Sequence, residues 1–142
     1  MKKKTHDIFP APKSLGKRQW GSEILLVLIP KILTLKLLKI KKGKQGGLQY
    51  HHKKNECGYL ISGKLQITYQ NEKGKLVKKI LTKGKTFHFQ PGLIHQEKAL
   101  SDCQIIEASS PHFNDRVRVE KKFGFKMKAG LPSTKKKDIK FL

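Results

Sequence analysis

The apolar residues of this chain come in stretches of five to nine, each closed off by Gly, Pro, Asn or Lys, and no window sustains the spacing of an amphipathic helix. Strands follow from that punctuation. They are expected at Glu23–Ile29, Ile32–Ile40, Leu48–His52, Gly58–Ser62, Lys64–Tyr69, Leu76–Leu81, Thr86–Phe89, Ile94–Ala99, Cys103–Ala108 and Arg116–Val119. Asn71-Glu72-Lys73-Gly74 reads as a hairpin loop ending in Gly, and Ser62-Gly63-Lys64 and Lys83-Gly84-Lys85 punctuate in the same way. Many short strands at regular spacing close into an antiparallel barrel or a two-sheet fold. Residues 1–22, with Pro10 and Pro12, read as an arm, 23–124 as the barrel and 125–142 as a basic tail, all within one domain, 1–142.

A chain of 142 residues buries about two thirds of its unfolded surface, so it needs no disulfide framework or structural metal to fold. Its formal charge is +22, from 32 Lys plus Arg against 10 Asp plus Glu. Only Arg18, Arg116 and Arg118 are arginine; the lysines run from Lys2 to Lys140 and cluster only at Lys135-Lys136-Lys137. That is a solvated coat. A nucleic-acid binder would gather Arg and Lys on one element with interleaved aromatics, so nucleic acid is not an expected partner. The same field enriches small anions such as sugar phosphates near the surface. The run Ile24–Ile29 falls far short of the roughly 20 residues that cross a bilayer, so no membrane is expected. It suits a sheet edge open to a second copy, a homodimer. The start MKKKTHDIF lacks a secretory signal's apolar stretch, and Cys57 and Cys103 form no spaced framework. A reduced, cytoplasmic protein is the expectation.

The most specific stretch runs from Gly43 to Gly63: Gly, five residues, Gln49, one residue, His51, four residues, Glu56, six residues, Gly. Strand alternation turns Gln49 and His51 the same way, and Glu56 returns from the next strand to meet them. Imidazole nitrogen, carboxylate oxygen and amide oxygen are ligands for a divalent transition metal. A fourth ligand, His95, follows the Pro91-Gly92 turn of a second stretch that begins at Gly84. Zinc, manganese, iron and nickel are all compatible with such a set.

The first stretch resembles the first conserved motif of the cupins, with Gln49 where that family has His, and the second resembles the second cupin motif, with Gln90 and Ala99 departing from it. The resemblance implies a double-stranded β-helix, or jelly-roll barrel, with one metal inside. Leu48-Gln49-Tyr50-His51-His52-Lys53-Lys54-Asn55-Glu56 is more closely similar to the corresponding segment of type II phosphomannose isomerases, where Gln also replaces the first His. Lys17-Arg18-Gln19-Trp20-Gly21 is similar to the segment that opens their cupin domain, and Asn114 to Gly124 to the one that closes it, so the resemblance spans about residues 17–124. It implies a metal-dependent isomerase or epimerase of a sugar or sugar phosphate, with the metal on Gln49, His51, Glu56 and His95. Lys54 stands where the family has Arg, and Lys121 and Phe125 replace the final acidic residue and Arg. A mononuclear iron dioxygenase and a non-catalytic carbohydrate-binding module are the other functions such a pocket serves.

Individual residues carry two readings each. Lys54 binds a substrate anion or is solvated. Arg118 presents a planar fork to a phosphate or carboxylate, or is held by Asp115 or Glu120. A shifted register would put Tyr50 and His52 inward in place of Gln49 and His51. His88 either faces the cavity or is an ordinary strand residue. Trp20 packs in the core or covers an edge, or stacks on a sugar, while Cys57 packs on the face opposite Glu56. His6 and His112 read as surface residues, and nothing in the sequence identifies a general base.

Overall fold

The computed structural model describes residues 6–128 and 130–142. Its strands are β1 (Lys13–Arg18), β2 (Gly21–Ile29), β3 (Leu33–Ile40), β4 (Gln49–Tyr50), β5 (Glu56–Ser62), β6 (Lys64–Gln70), β7 (Leu76–Thr82), β8 (Thr86–Phe89), β9 (His95–Ala99), β10 (Cys103–Ser109), β11 (His112–Phe113), β12 (Val117–Arg118) and β13 (Lys140–Phe141). They form a six-stranded sheet, β1-β2-β3-β10-β5-β8, a five-stranded sheet, β12-β4-β9-β6-β7, and the pair β11-β13. Neighbouring strands pair antiparallel, and the two larger sheets close over one core as the expected jelly-roll. Among the described residues no helix is long and apolar enough to cross a membrane.

The inward positions change character along each strand. On β3 they run Thr34, Lys36, Leu38, Ile40; on β10, which pairs with it in reverse, they run Cys103, Ile105, Glu107, Ser109. β5 goes from Glu56 to Leu60, and β9 from His95 to Ala99. The register aligns these gradients. Leu38, Ile40, Leu60, Leu65, Ile67, Ala99 and Ile105 therefore pack as one apolar core, while Lys36, Glu56, His95 and Glu107 collect at the other end. Two glycines permit close approach. Gly63 turns β5 into β6 at φ +94, and a Cβ there would sit 2.3 Å from the Asp102 carbonyl oxygen. At Gly58 a Cβ would sit 2.2 Å from the Phe87 ring, so the missing side chain is the space that ring fills.

The segments expected as an arm and a tail are not simple appendages. Lys13–Arg18 extends the larger sheet along β2, with Arg18 opposite Gly21. This edge strand carries a single half-buried apolar residue, Leu15, so it shows no alternation to read. At the other end, β13 pairs with β11 and the Leu142 amide donates to the Pro111 carbonyl at 3.1 Å. Further back, the Thr134 amide donates to the Arg116 carbonyl at 2.7 Å, and the Arg118 amide to Ser133 Oγ at 2.8 Å. These are backbone attachments, with little hydrophobic signal in the sequence.

Candidate metal centre

His51, Glu56 and His95 are buried, and one ligand atom from each lies within 4.8 Å of the others. Glu56 Oε1 is 3.0 Å from His51 Nε2 and 3.2 Å from His95 Nε2. Each imidazole is fixed from behind. His95 Nδ1–H donates to the Leu93 carbonyl at 2.9 Å, and His51 Nδ1–H donates to the Asp115 carbonyl. A carbonyl only accepts, so Nδ1 of each ring carries a proton, and both Nε2 atoms face the same carboxylate oxygen. Such an arrangement repels itself unless a proton or cation lies among the three atoms. Two backed imidazoles and a carboxylate are thus a donor set that fits a divalent transition metal.

The loop that delivers His51 is wound around a second carboxylate. Asp115 accepts the backbone N–H groups of His52, Lys53 and Lys54 at 2.9, 2.7 and 2.9 Å. Burial pushes its carboxyl up, but those three N–H donors outweigh burial and hold it below the usual range. Asp115, considered from the sequence as a partner for Arg118, instead organises the metal-motif loop.

Lys54 is neither solvated nor free. Its Nζ lies 2.7 Å from Glu56 Oε2 and 3.2 Å from Glu107 Oε1 inside the barrel. Burial pushes the ammonium down, yet Glu107 and Glu56 outweigh it and raise it above the ordinary lysine value. For Glu56, burial pushes up, and Lys54 with the two histidines more than reverses that, holding it well below the carboxylate range. Glu107 goes the other way: burial first, then Glu56, raise it to about 7 against the pull of Lys54 and Lys36. Glu97 is likewise driven well above its ordinary value by burial, Glu107 and Glu56. Among the described residues no protein group hydrogen-bonds the Glu97 carboxyl.

Linkage fixes the sign of a pH effect. Glu107 binds its proton more tightly folded than unfolded between pH 4.5 and about 7, so metal-free protein loses stability as pH rises through that window. Glu56, with its folded value depressed, adds stability that disappears only as pH falls below 4.5. Melting of the metal-free protein should therefore drop by several degrees between pH 5.5 and 7.5, and Glu107→Gln should flatten that fall. Parallel melting curves for the two proteins would count against the assignment.

These groups line a cavity of about 670 Å³, the size of a small-molecule site, which Gln49, Trp20 and all three arginines also line. Gln49 is the Cα partner of both His95 and Arg118. Trp20 packs against the apolar core as well. Arg118 is engaged by Glu120: its Nε donates to Glu120 Oε1 at 2.8 Å, and its remaining donors reach Glu120 again and the carbonyls of Leu131 and Lys128. His52 lies edge-on to Tyr50, so the register with His51 inward is the one adopted. His88 is exposed and meets Asn55 Oδ1 at 2.7 Å, Cys57 is exposed on the outer face, and His112 stacks on Phe141 at 4.8 Å. His6 is exposed.

Glu97 and Glu107 were not anticipated. Strand parity signals both, since Glu97 lies two residues beyond His95 and Glu107 two beyond Ile105.

Residues 36–109, just over half of the chain, match the family described as Cupin domain. The chain belongs to the cupin family. No curated protein matches its sequence. Among solved structures it is similar to KdgF from Halomonas sp., with TM-score 0.59 and 21% identity over 70% of this chain and 87% of that one. It is also similar to the capsular polysaccharide assembling protein CapF from Staphylococcus aureus, with TM-score 0.58 and 20% identity over 69% of this chain. Oxalate decarboxylase of Bacillus subtilis, described with Mn(II) centres, gives TM-score 0.60 and 23% identity over 71% of this chain. The chain spans 29% of CapF and 28% of the decarboxylase. At these identities the likeness is one of fold.

Proposed function

We propose that this cupin is a metal-dependent isomerase or epimerase acting on a sugar or sugar phosphate, in the manner of the phosphomannose isomerases its motif resembles. The observation that carries the reading is the pairing, in one cavity, of a His51–Glu56–His95 ligand set with a half-buried carboxyl, Glu97, that no neighbour among the described residues hydrogen-bonds. Gln49 lines the same space as the fourth ligand. When bound there, a divalent cation supplies Lewis acidity that polarises a substrate carbonyl and the neighbouring hydroxyl. Glu97 takes the proton from the hydroxyl-bearing carbon next to the carbonyl and delivers it to the former carbonyl carbon, the task of a carboxyl whose proton affinity has been raised. Lys54, fixed by Glu56 and Glu107, presents a cation to the developing negative oxygen. Arg118 is a positioning residue here: its grip on Glu120, which in turn accepts the Leu48 amide at 3.2 Å, anchors the segment entering β4.

A homodimer and a cytoplasmic location are further parts of this reading. Ile24, Leu37, Ile106 and Tyr59 pair across β2, β3, β10 and β5 as an uncharged outward row, which favours a homodimer through this face. Cys57 and Cys103 are free thiols, in keeping with the cytoplasm.

The test is proton exchange. Manganese-loaded protein incubated with hexose phosphates in deuterated water should exchange the C2 proton, followed by NMR. Glu97→Gln should slow that exchange about 100-fold or more at unchanged metal content. Oxygen uptake without exchange would point to a dioxygenase, and tight binding with neither to a sensor.

A further inference from the structure

Arginine is scarce in this chain and its placement is not even. Of 32 basic residues, three are arginine, and Arg18, Arg116 and Arg118 all line the polar cavity. Lysine serves nearly everywhere else. The three guanidinium groups differ in how far their donors are used. Arg118 is spent on Glu120 and two carbonyls. Arg18 gives Nε and Nη2 to Glu23 Oε2, at 3.2 and 3.1 Å, leaving Nη1 without an acceptor among the described residues. Arg116 uses Nη1 alone, toward Asn114 Oδ1 at 3.0 Å and the Pro132 carbonyl at 3.4 Å. Its Nε and Nη2 meet no acceptor, and no carboxylate pairs with it, among the described residues.

Arg116 is half-buried beside two like charges. Burial first, then Arg18 and Arg118, press its guanidinium below the ordinary arginine value, more than Glu23 and Asp115 offset. A cation in such a place is uncomfortable until an anion arrives. Free N–H groups from two planar forks suit an oxyanion in multipoint contact, which an ammonium does not reproduce.

We infer that Arg18 and Arg116 form an oxyanion-binding site in the cavity, which reads a phosphate or carboxylate group carried by the substrate. Anion recognition thus passes from Arg118 to its two neighbours. The inference rests on the proposed sugar chemistry for the identity of the substrate but not for the binding itself. Glu23 does not depend on Arg18 alone, since Lys36 Nζ holds it at 2.8 Å, so replacing Arg18 leaves no stranded carboxylate.

Binding is measured on the full chain, metal-free and metal-loaded, by NMR titration with glucose 6-phosphate, glucuronate and glucose at constant ionic strength. The charged sugars should bind about tenfold or more tighter than glucose. Arg18→Lys and Arg116→Lys, which keep the charge and lose the fork, should each weaken the charged ligands about tenfold and leave glucose unchanged. Preference for the phosphate or the carboxylate identifies which group is read. Replacing Lys135, Lys136 and Lys137 by Ala controls for the diffuse surface field and should change nothing. Equal affinity for all three sugars, or an equal loss in the lysine variant and the arginine variants, overturns the site. Anion binding without C2 exchange keeps this site and defeats the isomerase; C2 exchange on neutral sugars with arginine variants unaffected does the reverse.

Discussion

A His51→Ala, Glu56→Ala double variant should bind no metal after loading with manganese and desalting, while the parent chain should retain one ion per protomer. Two of the three grouped donors are gone, and His95 with the weak amide ligand Gln49 does not hold a divalent ion against water. The double change is the informative one because it leaves little stranded. Lys54 keeps Glu107 at 3.2 Å when Glu56 is removed, and the Asp115 carbonyl loses only the His51 Nδ1–H donor. The apolar half, from Leu38 to Ile105, is untouched, so circular dichroism should still report an all-β fold. Stoichiometric metal in the double variant would place the ion elsewhere.

The second large effect is on stability. Lys54→Met should destabilise the metal-free protein by about 3–5 kcal/mol at pH 8, the penalty for removing one member of a buried ionic cluster. Lys54 is the cation directly between Glu56 and Glu107, both almost wholly buried. Without it two carboxylates face each other in a poorly solvated space. They respond by taking up protons, so the loss should shrink as pH falls toward 5. Denaturant melts at the two pH values separate these effects. A loss under about 1 kcal/mol at pH 8 would mean that the cavity is wetter than its burial implies.

The site was legible in the sequence wherever spacing encodes geometry. Gln49, His51 and Glu56 lie on one strand-turn-strand unit, so alternation and turn length place them without knowledge of the rest of the barrel. His95 needed the second motif. Glu107 and Lys36 escaped notice because each is a charged residue in a lysine-coated chain; parity with Ile105 and Leu38 marks both as inward, and the cross-strand register, Glu107 opposite Lys36, brings them together. β1 was missed for a related reason: Lys13, Ser14, Gly16, Lys17 and Arg18 bury no apolar row. The two-residue strands β11 and β13 are defined by a few backbone hydrogen bonds between residues far apart in the chain, which no local pattern records.

The polarity gradient along the barrel has an evolutionary consequence. Folding free energy is earned at one end of each strand and reactivity is displayed at the other, so substitutions that retune the chemistry need not erode the scaffold. A lineage built this way can exchange one substrate for another by altering a handful of inward side chains near the opening. Sibling proteins with the same packed floor and different rims are the expected outcome.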